Sequence, residues 1–557
     1  MPENKNKSKF LIPAVSAAVV VAGSIAGYMF FLRGPSGDGS GALGSAKIVP
    51  DDALIAAYIT TDPQSWAKLE RFGTPEAQKA VAKELQDFNK NVLDSSNLSY
   101  EKDLKPWVGG VMIALLPQNA VKGATETPQA PATPEPNVLM VVGIKDKVSA
   151  LNFANKLKGQ KDVKIQEIDY KGEKITETTG KGKPSYSAVL NNSYIAFAPE
   201  KHAVEQAIDT MKGEPSFASK QGANSILAKG VDIQNPVAQI YVPDYASMFE
   251  QLIKNSPQAS QIPPQSLAQL KQVKSMVAGV GIDDAGVRMK AVANLDPQLV
   301  KYKYEPTQSQ VISQFPGDTI AMVSGQGISR WWAAVTEQSK DYPEFNQAVQ
   351  QTRTQLKTFN IDLDKDIFGW MDGEFGFAVI PANQGLLASV GFGGAIVFNT
   401  SDRKTAESTF AKLDTLIKAQ NITIAQRKIG TSDITEWQVP NQGALVSHGW
   451  LDQNRIFVAL GGGQIADFVA GNKAQTLDSS DSFKTITGSL QKPNGGYFYL
   501  DMDRTMTLVN KFATPAQPIP PETAAVLNSI RGLGVTATSP DKSISQMEML
   551  VSLKPKK

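Results

Sequence analysis

The longest unbroken apolar stretch of the chain runs from Phe10 to Leu32 and contains no charged residue. As a helix these 23 residues rise roughly 34 Å, enough to cross a hydrocarbon core about 30 Å thick. The pattern predicts a transmembrane helix over 10–32, a basic tail over 1–9 and a flexible linker over 33–46, whose first part, Gly34 to Gly41, has almost no apolar content. Beyond it, alternating and helical hydrophobic periods succeed one another. Strands are expected at 54–60, 111–116 and 138–143, with mostly helical chain over 63–88 and a helix over 148–157. A proline-, threonine- and alanine-rich insertion over 118–137 reads as disordered. A meander follows at 174–179, 186–190 and 194–198, with Asn191-Asn192 as a hairpin turn. A helix at 202–211 and a closing hairpin, 277–282 with 287–294, complete this half.

The same landmarks then return in the same order. Val49-Pro50-Asp51 leading to Trp66 is answered by Phe315-Pro316-Gly317 leading to Trp332, and Asp103-x-x-x-Trp107-x-x-Gly110 by Asp366-x-x-x-Trp370-x-x-Gly373. Ile175-Thr176-Glu177, Ile262-Pro263-Pro264 and Gly279-Val280-Gly281 recur as Ile434-Thr435-Glu436, Ile519-Pro520-Pro521 and Gly532-Leu533-Gly534. Strands at 445–450 and 455–459, turning at Asp452-Gln453-Asn454, and helices at 405–417 and 464–469 fit the same plan. A period this long exceeds a solenoid unit, so the reading is two domain-sized copies, 47–297 and 312–557, joined by a linker over 298–311. Strands and helices without regular alternation predict an α+β fold with mainly antiparallel sheet behind the N-terminal transmembrane helix.

Charge fixes the expected orientation. Four of the 56 basic and one of the 54 acidic side chains fall in the first 33 residues, leaving the remainder one charge negative. Lys5, Lys7 and Lys9 before the apolar segment, against Arg33 alone after it, place the tail in the cytoplasm and the body across the membrane. A near-neutral body argues against nucleic-acid binding. Gly23-x-x-x-Gly27 within the apolar segment would permit close pairing of two such helices in a homodimer. The absence of cysteine excludes disulfides, thiolate metal sites and a cysteine-linked lipid anchor.

The basic start, the spanning segment, the tether, Val49-Pro50-Asp51-Asp52-Ala53, Phe72-Gly73-Thr74-Pro75-Glu76-Ala77-Gln78 and Tyr100-Glu101-Lys102-Asp103-Leu104-Lys105-Pro106-Trp107-Val108-Gly109 together resemble a family of cyanobacterial membrane-anchored proteins known only as a domain of unknown function. The resemblance implies an inner (plasma) or thylakoid membrane location, with the body in the periplasm or lumen. It implies no catalytic residues.

Searching the residues for chemistry returns few candidates. His202 and His448 are the two histidines, at different places in the two halves, so neither forms a repeated site. Neither a nucleophile elbow nor a phosphate-binding loop occurs, and the Ser-x-x-Lys spacings at Ser65, Ser401 and Ser489 lack the companion motifs of serine-lysine hydrolases. The glycine clusters at 279–286 and 391–394 fall inside strand patterns, and 461–463 reads as a helix-entry turn. Asp362-x-Asp364-x-Asp366 opens like a calcium loop but has Ile367 and Gly373 where glycine and glutamate belong. That leaves Asp103, Trp107, Asp366 and Trp370 as candidate contact residues, with a packing role favoured: the tryptophan anchors entry to a core strand and the aspartate caps a short turn.

No catalytic residue, cofactor or metal is expected. The pattern predicts a membrane-anchored binding or scaffold protein that assists assembly or organisation of envelope or thylakoid proteins. The alternative is a carrier of an apolar ligand, a lipid or pigment, recognisable by an apolar cavity. A hydrolase with an unrecognised site ranks third.

Overall fold

The computed structural model describes residues 41–88, 100–117, 137–158, 164–179, 184–220, 223, 231–254, 270–300, 303–339, 343–420, 422–471, 475–512 and 519–556. The segment expected to cross a membrane, including Gly23 and Gly27, lies outside these residues, as does the insertion up to residue 136. Among the described residues no helix is long and apolar enough to cross a membrane.

Strands and helices mix around one large antiparallel sheet of 20 strands. The first half supplies β1 (Ile55–Ile59), β2 (Val108–Leu115), β3 (Val138–Ile144), β4 (Lys164–Tyr170), β5 (Glu173–Thr179), β6 (Ser185–Leu190), β7 (Tyr194–Ala198), β8 (Pro236–Val242), β9 (Val273–Ile282) and β10 (Gly286–Leu295). The second supplies β11 (Ala321–Gln326), β12 (Glu374–Pro381), β13 (Phe392–Asn399), β14 (Thr423–Ile429), β15 (Ser432–Val439), β16 (Gly443–Trp450), β17 (Arg455–Leu460), β18 (Tyr497–Asp501), β19 (Ile530–Asp541) and β20 (Ile544–Leu553).

Pairing runs β4-β5-β6-β7-β3-β2-β1-β8-β9-β10 through the first half. Continuing outward from β10 it runs β20-β19-β18-β11-β12-β13-β17-β16-β15-β14, the same connectivity in reverse. The join is an antiparallel ladder of β10 on β20, centred where Lys290 faces Glu548. Asn191 and Asn192 turn the β6–β7 hairpin with both φ angles at 51°, a left-handed pair that asparagine tolerates better than most residues.

Alternation puts every second strand residue on one face. One face, carrying Met112, Leu139, Met322 and Val397, is sealed by the helices Lys201–Met211, Gly463–Ala470 and Asp481–Thr487 into two large cores. The opposite face is covered in patches. Trp66 packs there on Val280 and Met289, Trp107 on Val111, and Trp370 on Phe398.

Three expectations change. Part of the linker over 33–46 is ordered: Ala42–Ala46 is a short helix whose Ala46 is fully buried in the first core, because its small side chains fit close against the sheet. The segment 298–311 is also no free linker. Val300 and Val311 are buried, the Thr307 hydroxyl and Gln310 amide donate to Glu374 at 2.9 and 3.1 Å, and the turn Gln310–Gln314 crosses the expected boundary at 312. Finally, the helical stretch 63–88 breaks into Pro63–Ala67, a tight turn Lys68–Arg71 and Pro75–Phe88, where Gly73 takes φ 84°.

Candidate apolar ligand cleft

The two Asp-x-x-x-Trp motifs are built alike. Each lies in a wide helical turn, Tyr100–Leu104 or Leu363–Gly369, that leads into β2 or β12. The indole N–H donates back to the backbone oxygen of its own motif's aspartate, Trp107 to Asp103 at 2.7 Å and Trp370 to Asp366 at 2.8 Å. The aspartate carboxylate meets a lysine on the next helix, Lys156 of Lys147–Lys158 at 2.7 Å and Lys412 of Arg403–Lys418 at 2.6 Å. The expected capping role is therefore corrected. The cap of the second turn is Asp362, which accepts from the Asp364 and Lys365 amides, while Asp366 accepts from the Asp362 amide and from Lys412. The lysines were missed because the ion pairs span 53 and 46 residues, although each lysine stands nine residues into its helix.

Both tryptophans are buried, and Trp370 borders open space. Beside it lies a cleft of about 1180 Å³, above the roughly 300–1,000 Å³ of ordinary small-molecule sites. Its floor is a straight row across four strands: Val323 faces Phe377, Phe377 faces Ile396, and Ile396 faces Val458. Trp331 and Val335 of Ile328–Ser339 form one wall, and Phe410 and Leu413 of Arg403–Lys418 another. Val323 and Phe377 are still 43% and 37% exposed, and Trp331 48%, so the cleft opens to solvent. Its far end is closed by Trp437, whose N–H donates to Asp414 at 2.7 Å. The same carboxylate oxygen takes His448 Nε2 at 3.0 Å, and Phe410 stacks on that imidazole at 4.6 Å.

The other sequence candidates do not converge here. His202 is exposed on Lys201–Met211, with Nδ1 3.5 Å from Glu205. Asp364 is held by Arg353 at 2.7 Å and by the Trp332 indole at 2.9 Å, so the acidic run spends its carboxylates on separate partners. Among the described residues no group of three or more His, Asp or Glu is placed to hold a metal ion. Ser65 donates to Asp62 at 2.9 Å while Lys68 pairs with Asp284 at 3.0 Å, and Ser489 accepts from Arg288 at 2.8 Å. A side chain at Gly279 or Gly281 would meet Val231 or the Gln234 backbone oxygen within 2.5 Å, which explains glycine there by close approach.

The cleft left one readable trace in the sequence. Where the first half has Ser65-Trp66, the second has Trp331-Trp332, and β12 carries Phe375 and Phe377 on one face. That surplus of aromatic residues was invisible as a site because apolar residues on both sides of a strand look the same as full burial.

No curated protein matches the chain. Two solved structures are similar to it, crystal forms III and I of TP0453, at 7% and 9% identity with TM-scores of 0.26 and 0.25. They cover 45% and 47% of this chain and 79% of each of those chains, a likeness too loose to carry any argument. A family profile, by contrast, runs from residue 14 to residue 553 and leaves almost nothing outside it. On that match, and as its landmarks led us to expect, the chain belongs to the family described as protein of unknown function, DUF3352.

Proposed function

We propose that this protein is a carrier of an apolar ligand, held against the open face of β11, β12, β13 and β17. The observation that carries this reading is the cleft itself: a floor of Val323, Phe377, Ile396 and Val458 under aromatic walls, with large apolar side chains left in contact with water. Exposed apolar surface of this size is costly for a soluble body unless something covers it. The reading includes an anchor over 10–32, a cytoplasmic tail and a body on the far side of a plasma or thylakoid membrane, where an apolar ligand is within reach; the charge pattern around the anchor supports that placement. It also includes an origin from two copies of one unit, supported by the shared strand connectivity and by the repeated Trp–Asp–Lys arrangement.

The test is retention. Full-length protein purified from membranes in mild detergent is extracted with organic solvent, and the extract is compared by mass spectrometry with that of Val323→Asp/Phe377→Asp. The carrier reading expects a defined apolar compound from the parent protein and its loss from the variant. The same compound at equal yield from both would sink it.

A scaffold role draws on a different feature. Val148 and Leu151, three apart on Lys147–Lys158, are 68% and 61% exposed, where matching positions of the second half have Lys404 and Glu407. If they hold a protein partner, Val148→Ser/Leu151→Ser removes a copurifying protein without touching ligand retention.

A further inference from the structure

We infer that the cleft takes an uncharged molecule with a hydroxyl or carbonyl group at one end, and that it excludes carboxylates and phosphates. The inference rests on the carrier reading and narrows it to a ligand class.

Among the described residues, none that lines the cleft is charged. Three pairs of opposite charges behind its walls are matched to each other: Asp366 with Lys412 at 2.6 Å, Asp364 with Arg353 at 2.7 Å, and Glu305 with Arg330 at 2.7 Å. Asp414 is turned away from the cleft by Trp437 and His448, which both hydrogen-bond to it. An anionic head group entering this space would give up hydration and find no counter-charge among the described lining residues, the costliest kind of burial. A cationic head would meet the same deficit, because no carboxylate is found among the described lining residues.

Ser324, Gln326 and Thr409 are polar lining residues elsewhere in the cleft, and the Thr409 hydroxyl already donates to backbone oxygens; a further polar group lies at one end. Gln272 before β9, Ser539 on β19 and Ser545 on β20 gather where the ends of β9, β10, β19 and β20 meet. Ser539 accepts the Tyr304 amide at 3.2 Å and keeps its own proton to donate. The opposite end, at β15 and β16, presents Trp437, Phe410 and Val446. A ligand with one neutral polar terminus therefore lies across the sheet with that terminus at Ser539 and Ser545 and its apolar end against Trp437.

Photo-crosslinking with a matched pair of probes decides the point. Hexadecanol and hexadecanoic acid, each with a diazirine at the methyl end, are offered to the full-length protein in detergent at alkaline pH, and labelled peptides are mapped by mass spectrometry. The alcohol is expected to label the Phe410–Trp437 end, and the acid to label it about tenfold less or weaker still. Ser545→Lys, which supplies a cation at that end, is expected to raise acid labelling relative to alcohol labelling, and this ratio, set against that of the parent protein, is independent of how the probes partition into detergent. Equal labelling by acid and alcohol overturns the charge exclusion but leaves the carrier reading standing. Alcohol labelling at Gln272 instead of Trp437 overturns the orientation. Cleft labelling by neither probe overturns the carrier reading and this inference with it.

Discussion

Two tryptophans with the same bonds occupy different positions in the economy of the fold. Trp107 and Trp370 are 4% and 2% exposed and both donate to their motif's aspartate, but Trp370 also borders the cleft. Truncating either to alanine should destabilise the protein by about 3–5 kcal/mol, read from urea unfolding. If Trp370→Ala kept full stability and lost ligand retention, its packing role would be refuted and its role would be contact alone. The neighbouring carboxylates predict a pH response. Asp364 lies below the ordinary carboxylate range chiefly because Arg353 hydrogen-bonds to it. For Asp366 burial works in the opposite direction, but the Asp362 amide and Lys412 outweigh it and hold the group low as well. Folded-state values below the unfolded ones mean that their contribution is present above the unfolded value of about 3.9 and is lost as pH falls through the folded values. Melting temperature should therefore drop on acidification below about pH 4, and Asp366→Asn should flatten that drop. An unchanged acid limb in the variant would remove Asp366 from the account.

At the scale of elements, the decisive contact is the β10–β20 ladder. Arg288 sits two pairs in from one end of it, almost buried, and reaches Asp283 at 2.6 Å, Glu548 and the Ser489 hydroxyl at 2.8 Å. Arg288→Met would leave the Glu548 carboxylate, 5% exposed, without its cation, a loss of about 3–5 kcal/mol. The added change Glu548→Gln should recover part of that loss, because the more deeply buried of the two carboxylates facing methionine is then neutral, while Asp283 stays charged. Urea titrations of the two single variants and the double variant check this as a thermodynamic cycle, and simple additivity would show that the pair is not coupled.

Across the whole molecule, continuity of the sheet predicts shared cooperativity. Nine paired positions cross from β10 to β20, so neither half ends in a free edge at that seam. Calorimetry of the full-length protein should give one transition with van't Hoff and calorimetric enthalpies in agreement. Two resolved transitions would mean that the halves unfold as separate bodies. Because Val323 is 43% exposed, Val323→Asp alone should shift that transition by no more than about 1 kcal/mol while lowering ligand retention.

Local pattern was enough for strands such as 111–116, 138–143 and 194–198, the hairpin at Asn191-Asn192, helices such as 202–211 and 405–417 and the recurrence of Asp-x-x-x-Trp, because alternation, turn residues and spacing act over a few positions of chain. The family was legible for the same reason, since it rests on short runs in fixed order. Other features depend on residues far apart in sequence. The ion pairs of Asp103 with Lys156 and Asp366 with Lys412 form only when a helix folds back over its turn. The segment 298–311 looked like a linker because its polar residues bond to Glu374, more than 60 residues away. The cleft is the extreme case. Val323, Phe377, Ile396 and Val458 read as core residues along each strand, and only the placement of two helices above the sheet left that row partly uncovered, opening a cleft over surface that would otherwise be buried.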